Sequence, residues 1–427
     1  MKTFRLAAVA VASALALTAC GGSGEATGED PSEGGAAAPE QIRVWLVGTD
    51  TPQEARDYLE QTFEDAHEGT DLVIEEQVWD GLVDKLTTSL SGSDSPDVVE
   101  VGNTQAVAFT SVGAFMDLSD KKEELGGDDL LEGFVESGTY DGTFYAAPYY
   151  AGSRLVFYRK DLLQAAGLQP PTTLDEFVAA GKTLREANGG GQFSGIYFPG
   201  QDWRNALPYI WAAGGDLAVQ DGDTWKGALS TPESIEGLEM VQQVMTDASG
   251  AAKDGNEVDP QVPYCAGQIG MLSAPGWVQG SILSAETGCP DAEANLGVFA
   301  LPGETAGETA PIFLGGSNIA VAAKSKAPDL AYEALQIMLS DEYQTIMAQN
   351  NLVPAKTSLI SEMPDGPTKE ATEAAASNTK LTPAAPGWAN VESDKILEDL
   401  FVQIAQGGDV ASLAAAADEK ITAALNR

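Results

Sequence analysis

Residues 139–177 constrain this chain more than any other stretch. Asp141-Gly142 stands between two aromatic, alternating runs, which signals a short hairpin. Pro148 has no N–H to give a ladder, so residues 145–148 are expected to leave the strand, and a new strand is expected over 155–158. Asp161 is placed to cap a helix over 162–166, with Gly167 at the left-handed position after it and Pro170-Pro171 forbidding its continuation. Thr173 and Glu176 then have the spacing of a capping box that opens another helix.

Three spaced groups lie along this stretch: Tyr140, Gly142, Tyr145, Pro148 and Tyr149; then Tyr158, Lys160, Asp161, Leu162, Ala166, Gly167 and Leu168; then Pro171, Thr173, Glu176 and Phe177. In this order they resemble the signature of the extracellular solute-binding proteins of ABC importers, family 1, the group that contains maltose-binding protein. The resemblance implies an α/β, two-lobed periplasmic-binding-protein-like fold. Each lobe would be a mostly parallel sheet flanked by helices, with the ligand cleft between them. It makes the stretch the first crossing between lobes, with a hinge near residues 147–152. Residues 313–321, with Gly315-Gly316, resemble the second crossing, which places the other hinge at 314–317. On this basis residues 41–148 and 312–360 form lobe 1, and residues 149–311 and 361–427 form lobe 2.

A chain of 427 residues exceeds the ~250 to 300 at which a single core stops growing, so two lobes also suit its size. Before them, Lys2 and Arg5 precede an apolar run over 6–17 that is too short to span a bilayer, and Leu17-Thr18-Ala19-Cys20 looks like a lipobox. Residues 1–20 are therefore expected to be a lipoprotein signal with Cys20 as the lipid-bearing residue, and the Gly-, Ala- and acid-rich residues 21–40 a disordered tether. Outside the cytoplasm the remaining pair, Cys265 and Cys289, is expected to form a disulfide. His67 is the only histidine, so a zinc site is not expected, nor is any other metal or cofactor. The formal charge of −41 argues against nucleic acid as a partner and against anionic headgroups meeting the general surface.

The body opens with a strand over 42–47, a helix begun by a capping box at Thr51, a strand over 72–78, a helix capped by Asp80 and a strand over 96–101. Such alternation predicts a parallel sheet, and the resemblance to the family's first lobe implies that the loops after strands one and three, residues 48–50 and 102–105 at the carboxyl ends, face the cleft. Gly181-Lys182-Thr183 has the ending of a phosphate loop, but Glu176 stands where that loop needs glycine, so no nucleotide site is read. Transport energy must then come from a separate ATPase.

A sugar presents apolar C–H faces and a rim of hydroxyls, so its site needs flat aromatics together with carboxylates, amides or arginine. The candidates are Trp277, Trp388 and Trp203 for stacking with Tyr149 and Tyr150 nearby, and Asp50, Asn103, Asp202, Arg204 and Asn318 for hydrogen bonds. Trp277 and Trp388 each follow Pro-Gly in a loop, where members of the resembling family commonly stack sugars; Trp45, Trp79, Trp211 and Trp225 are read as structural. The expected function is that of a monomeric, membrane-anchored, non-enzymatic binding lipoprotein outside the cytoplasmic membrane, delivering a carbohydrate to a permease. Two alternatives stay open: a binding protein for another solute, such as a polyamine, amino acid or anion, and an extracellular glycoside hydrolase working with paired carboxylates.

Overall fold

A computed structural model describes residues 41–427 apart from 223 and 377. The leader, Cys20 and the tether lie outside the described residues.

Ten strands form one sheet. Its first part has Gln41–Val47 in the middle, with Asp71–Gln77 and Val98–Gly102 parallel on either side. Helices Gln53–Ala66 and Leu82–Ser91 make the return connections. The first of these buries Ala55, Leu59 and Phe63 at a spacing of four, one stripe of the helix. Burying a side chain such as Leu59 or Phe63 contributes about 1.5 to 3 kcal/mol.

Two long strands then carry the chain onward. Ile312–Val321 runs antiparallel to Val98–Gly102, and Ala147–Arg159 runs antiparallel to Ile312–Val321. Beyond them Ala147–Arg159 pairs with Ile269–Pro275 and Leu296–Phe299, and Ser194–Tyr197 lies parallel to Ile269–Pro275. Ala147–Arg159 therefore serves two cores. Its Ala147, Tyr149 and Tyr150 pack with Leu46, Phe63, Ile319 and Tyr343, whereas its Leu155, Val156 and Phe157 pack with Ile196, Leu207, Phe401 and Ile421. Cys265 and Cys289 are bonded on the second side, with Cα atoms 5.5 Å apart.

Several local expectations change. The hairpin at Asp141-Gly142 forms, with both residues at positive φ, but the chain does not break at Pro148 and restart at 155. One strand of 13 residues runs through. Pro148 is tolerated because the register shifts there: Ser317 faces Tyr150 while Asn318 faces Pro148, leaving Tyr149 as the extra residue of a bulge. Thr51 does not cap its helix; its hydroxyl lies 2.9 Å from the Tyr149 hydroxyl and Pro52 takes the cap position. Gly81, at φ 73°, stands where Asp80 was expected as a cap. Asp161 lies within helix Lys160–Ala165, and its carboxylate accepts from the Arg159 guanidinium at 2.8 and 2.6 Å. Thr173 caps Leu174–Ala187 as expected, accepting from Glu176 N.

Candidate functional site

The loops that follow the three parallel strands meet at one edge. Trp79 lies across them, bridging two glycines: a Cβ on Gly48 would sit 3.8 Å from its Nε1, and one on Gly102 would sit 3.4 Å from its Cζ3. Trp79, read from the sequence as structural, is 41% exposed. Beside it, burial pushes the Asp50 carboxyl up, against the pull of hydrogen bonds from Trp79 and Tyr150. Tyr150 OH reaches Asp50 Oδ2 at 3.3 Å and Glu100 Oε1 at 3.0 Å. Trp277 completes this side. Its ring meets Tyr150 edge-on at 6.3 Å and covers Gly152, where a Cβ would come within 2.0 Å of Cζ3.

Side chains alternate along a strand, so Arg154 continues the face of Tyr150 and Gly152. Its guanidinium is buried and donates to Asn205 Oδ1 at 3.2 Å and to Glu257, with Asp202 at 3.7 Å. Asp202 caps helix Trp203–Ala212 through Asn205 N and also accepts from Asn205 Nδ2 at 2.6 Å. Burial and the neighbouring Glu257 push the Asp202 carboxyl up to about 7. For Glu257 burial acts upward too, but the guanidiniums of Arg154 and Arg204 outweigh it and hold the carboxyl low. Arg204 stacks over Trp203 at 4.4 Å and stays partly exposed.

Trp203 and Trp388 meet at 6.4 Å, both buried. Trp388 Nε1 donates to Glu392 Oε1 at 2.9 Å, and Gln105 Nε2, from the loop after the third strand, donates to the other oxygen of the same carboxylate at 2.9 Å. Lys395 Nζ stands 4.0 Å from Asp80 nearby. These contacts join loops that belong to different cores.

The structure thus brings Asp50, Tyr150 and Trp277 into one cluster of contacts and Trp203, Arg204, Asp202 and Trp388 into another. Three further candidates make hydrogen bonds within the fold. Tyr149 is buried between Thr51 and Tyr343, whose hydroxyl lies 2.6 Å away. Asn103 donates to Leu314 O, and Asn318 is fully buried, donating to Phe134 O and Ala146 O. Asn103 also lines a cavity of about 580 Å³ with Ser153, Leu314 and Leu381; Ser153 alternates with Gly152, so this cavity lies on the opposite face of the crossing strands from Trp277. Residues that were not among the candidates are Trp79, read as structural, Gln105, inside the loop 102–105 but not named, and Glu100, Arg154, Glu257 and Glu392. For Trp79 a signal existed: it sits just past a strand's carboxyl end. Aromatic faces bordered by carboxylates and guanidiniums suit a polyhydroxylated ligand. Among the described residues no group of three or more His, Cys, Asp or Glu side chains is placed to hold a metal.

The model for bacterial extracellular solute-binding proteins matches residues 48–345. The diacetylchitobiose binding protein DasA of Streptomyces coelicolor is 36% identical over 399 residues, 92% of each chain. The lactose-binding protein of Rhizobium radiobacter is 25% identical over 316 residues, 68% of each chain. Among solved structures, the GacH receptor of Streptomyces glaucescens superposes with a TM-score of 0.78 at 22% identity, covering 90% of this chain and 98% of that one. The sugar-binding protein MalE of Xanthomonas citri gives 0.77 at 19%, covering 90% and 97%. These likenesses show the two-lobed fold.

Proposed function

The chain belongs to the bacterial extracellular solute-binding proteins, and on that premise we propose that it captures a carbohydrate between two lobes and hands it to an ABC permease driven by a separate ATPase. The lobes are residues 41–148 with 312–360, and 149–311 with 361–427. They close about 147–152 and 314–317, where two strands link otherwise separate cores. The observation that carries the sugar reading is the pair of rings Trp79 and Trp277 linked through Asp50 and Tyr150, with the ion pair of Arg204 and Glu257 as further polar groups. Trp277 stacks on the sugar and Trp79 borders it, while Trp203 and Trp388 stiffen the second cluster.

The relative that binds diacetylchitobiose makes an N-acetylglucosamine oligosaccharide the first ligand to test. Titration calorimetry against N,N′-diacetylchitobiose, lactose and maltose should give a dissociation constant at or below about 10 μM for one of them, the range a scavenging importer needs. At about 100 times that constant the ligand should stabilise the fold by about 2.7 kcal/mol in a melt. No heat and no stabilisation from any sugar of a wide panel at millimolar concentration would overturn the carbohydrate reading.

Cys20 carries the lipid that holds the protein on the outer face of the cytoplasmic membrane, a reading supported by the lipobox and the tether behind it. Cys20→Ala should move the protein from the membrane pellet to the soluble fraction of its native host. A variant that still pellets after a salt wash contradicts the anchor.

A further inference from the structure

Glu100 is fully buried on the third parallel strand and holds both crossings. Ser317 Oγ lies 2.6 Å and Tyr150 OH 3.0 Å from its Oε1, and Val47 N donates to its Oε2 at 2.7 Å. The titratable groups facing it are Asp50 on the loop after the first strand, Tyr149 and Tyr150 on the first crossing, and Tyr343 on helix Asp341–Gln349. Arg56 of helix Gln53–Ala66 acts on Asp50 and Tyr343; its own guanidinium is held by Thr51 O, Gly48 O and Glu76. The carboxyl group is therefore enclosed by donors and by other acids. A buried charge in such a place is costly unless a proton neutralises it.

Tyr150 has one hydroxyl proton and two carboxyl groups within reach, Asp50 at 3.3 Å and Glu100 at 3.0 Å. An ionised Glu100 takes that proton as a hydrogen bond. A protonated Glu100 becomes a donor itself, to the oxygen of Ser317 or Tyr150, and Tyr150 is then free to donate to Asp50. Building on the cleft assigned above, we infer that Glu100 is a positioning residue: one proton, taken from or returned to solvent, decides whether Tyr150 donates to Glu100 or to Asp50, and so whether Asp50 keeps its acceptor oxygen free for a ligand hydroxyl. Burial pushes the Glu100 carboxyl up to about 7, so the turn falls near neutral pH. Below that value Tyr150 occupies Asp50; above it Asp50 is released.

The indole N–H of Trp79, a hydrogen-bond partner of Asp50, reports the turn without any ligand. In the ¹H–¹⁵N spectrum of the whole protein its resonance should step between pH 6 and 8. Glu100→Gln keeps the shape, accepts from Val47 with its carbonyl and donates with its amide, which fixes the low-pH arrangement; the step should vanish while the other indole signals stay in place. With N,N′-diacetylchitobiose as probe, parent affinity should rise about fivefold from pH 6 to 8, the worth of one hydrogen bond, and the variant should stay flat at the low-pH value. A purely structural Glu100 would give a variant weakened at every pH with the parent's slope retained. That result, or a parent indole signal that does not move, overturns the inference. If the step is seen and the sugar does not bind, the relay stands and the carbohydrate reading alone falls.

Discussion

Arg154→Met should lower the unfolding free energy by about 3 to 5 kcal/mol at pH 8, measured in urea melts. The parent guanidinium is buried against Glu257, Asp202 and Asn205, so the variant leaves the buried Asp202 and the half-buried Glu257 without their cation. Arg204 cannot replace it, standing 3.7 Å from Glu257 and partly in solvent. The sign with pH follows from Glu257. In the parent its carboxyl is held low, so its contribution is present above its unfolded value and is lost as pH falls. In the variant only the partly exposed Arg204 still opposes burial, so the Glu257 carboxyl rises from its parent position and less of its contribution is left as pH rises. Both effects widen the gap at high pH. The deficit should therefore be largest at pH 8 and shrink towards pH 5, and a constant deficit would mean that the loss is one of packing.

Trp277→Ala should weaken sugar binding ~5- to 150-fold, the equivalent of roughly 1 to 3 kcal/mol for a desolvated ring. Its partner in the experiment is Gly152→Ala. A Cβ at that position would come within 2.0 Å of the indole, too close to coexist, so the added methyl must drive the ring out of its seat. Gly152 lies within a strand and the three atoms nearest the added Cβ all belong to Trp277, so the damage falls on the ring. Both single variants should lose affinity, and the double variant should be no weaker than Trp277→Ala, because the two changes remove one and the same platform. Calorimetry on the three proteins decides it. Additive losses would place Gly152 in contact with the ligand independently of Trp277.

Much of the architecture was legible because it rests on patterns that survive in one dimension. The strand–helix alternation over 42–101 and the spaced residues from Tyr140 to Phe177 carry the parallel sheet and the crossing strand. The break expected at Pro148 failed since a bulge lets a strand pass over a missing donor, and no local signal marks which residue of the distant partner will slip. Thr51 was misread as a cap because a hydroxyl near a helix start has a choice of partners, and here Tyr149, 98 residues away, won it. The site was less legible. Pro-Gly-Trp looks alike at 277 and 388, yet one ring lies over a glycine at the crossing and the other is buried beside Trp203 with its N–H held by Glu392. Among 64 acidic residues nothing in the sequence distinguishes Glu100, Asp202 or Glu257. Only burial does, and burial is a property of the finished fold.

The sharing of one strand by two cores also governs the order of assembly. Tyr149 and Tyr343, hydrogen-bonded in the first core, are 194 residues apart, and Glu100 and Ser317 are 217 apart. The second core is closed by Leu397, Phe401 and Ile421 near the carboxyl end. The first core waits for Leu352 and Ala355, made after most of the second, and the second waits for the last helix, made after all of the first. Closing such long loops is slow and costs entropy before any contact returns it. For an extracytoplasmic protein the consequence is a late start to folding: neither lobe can close on the residues of its own amino-terminal half alone.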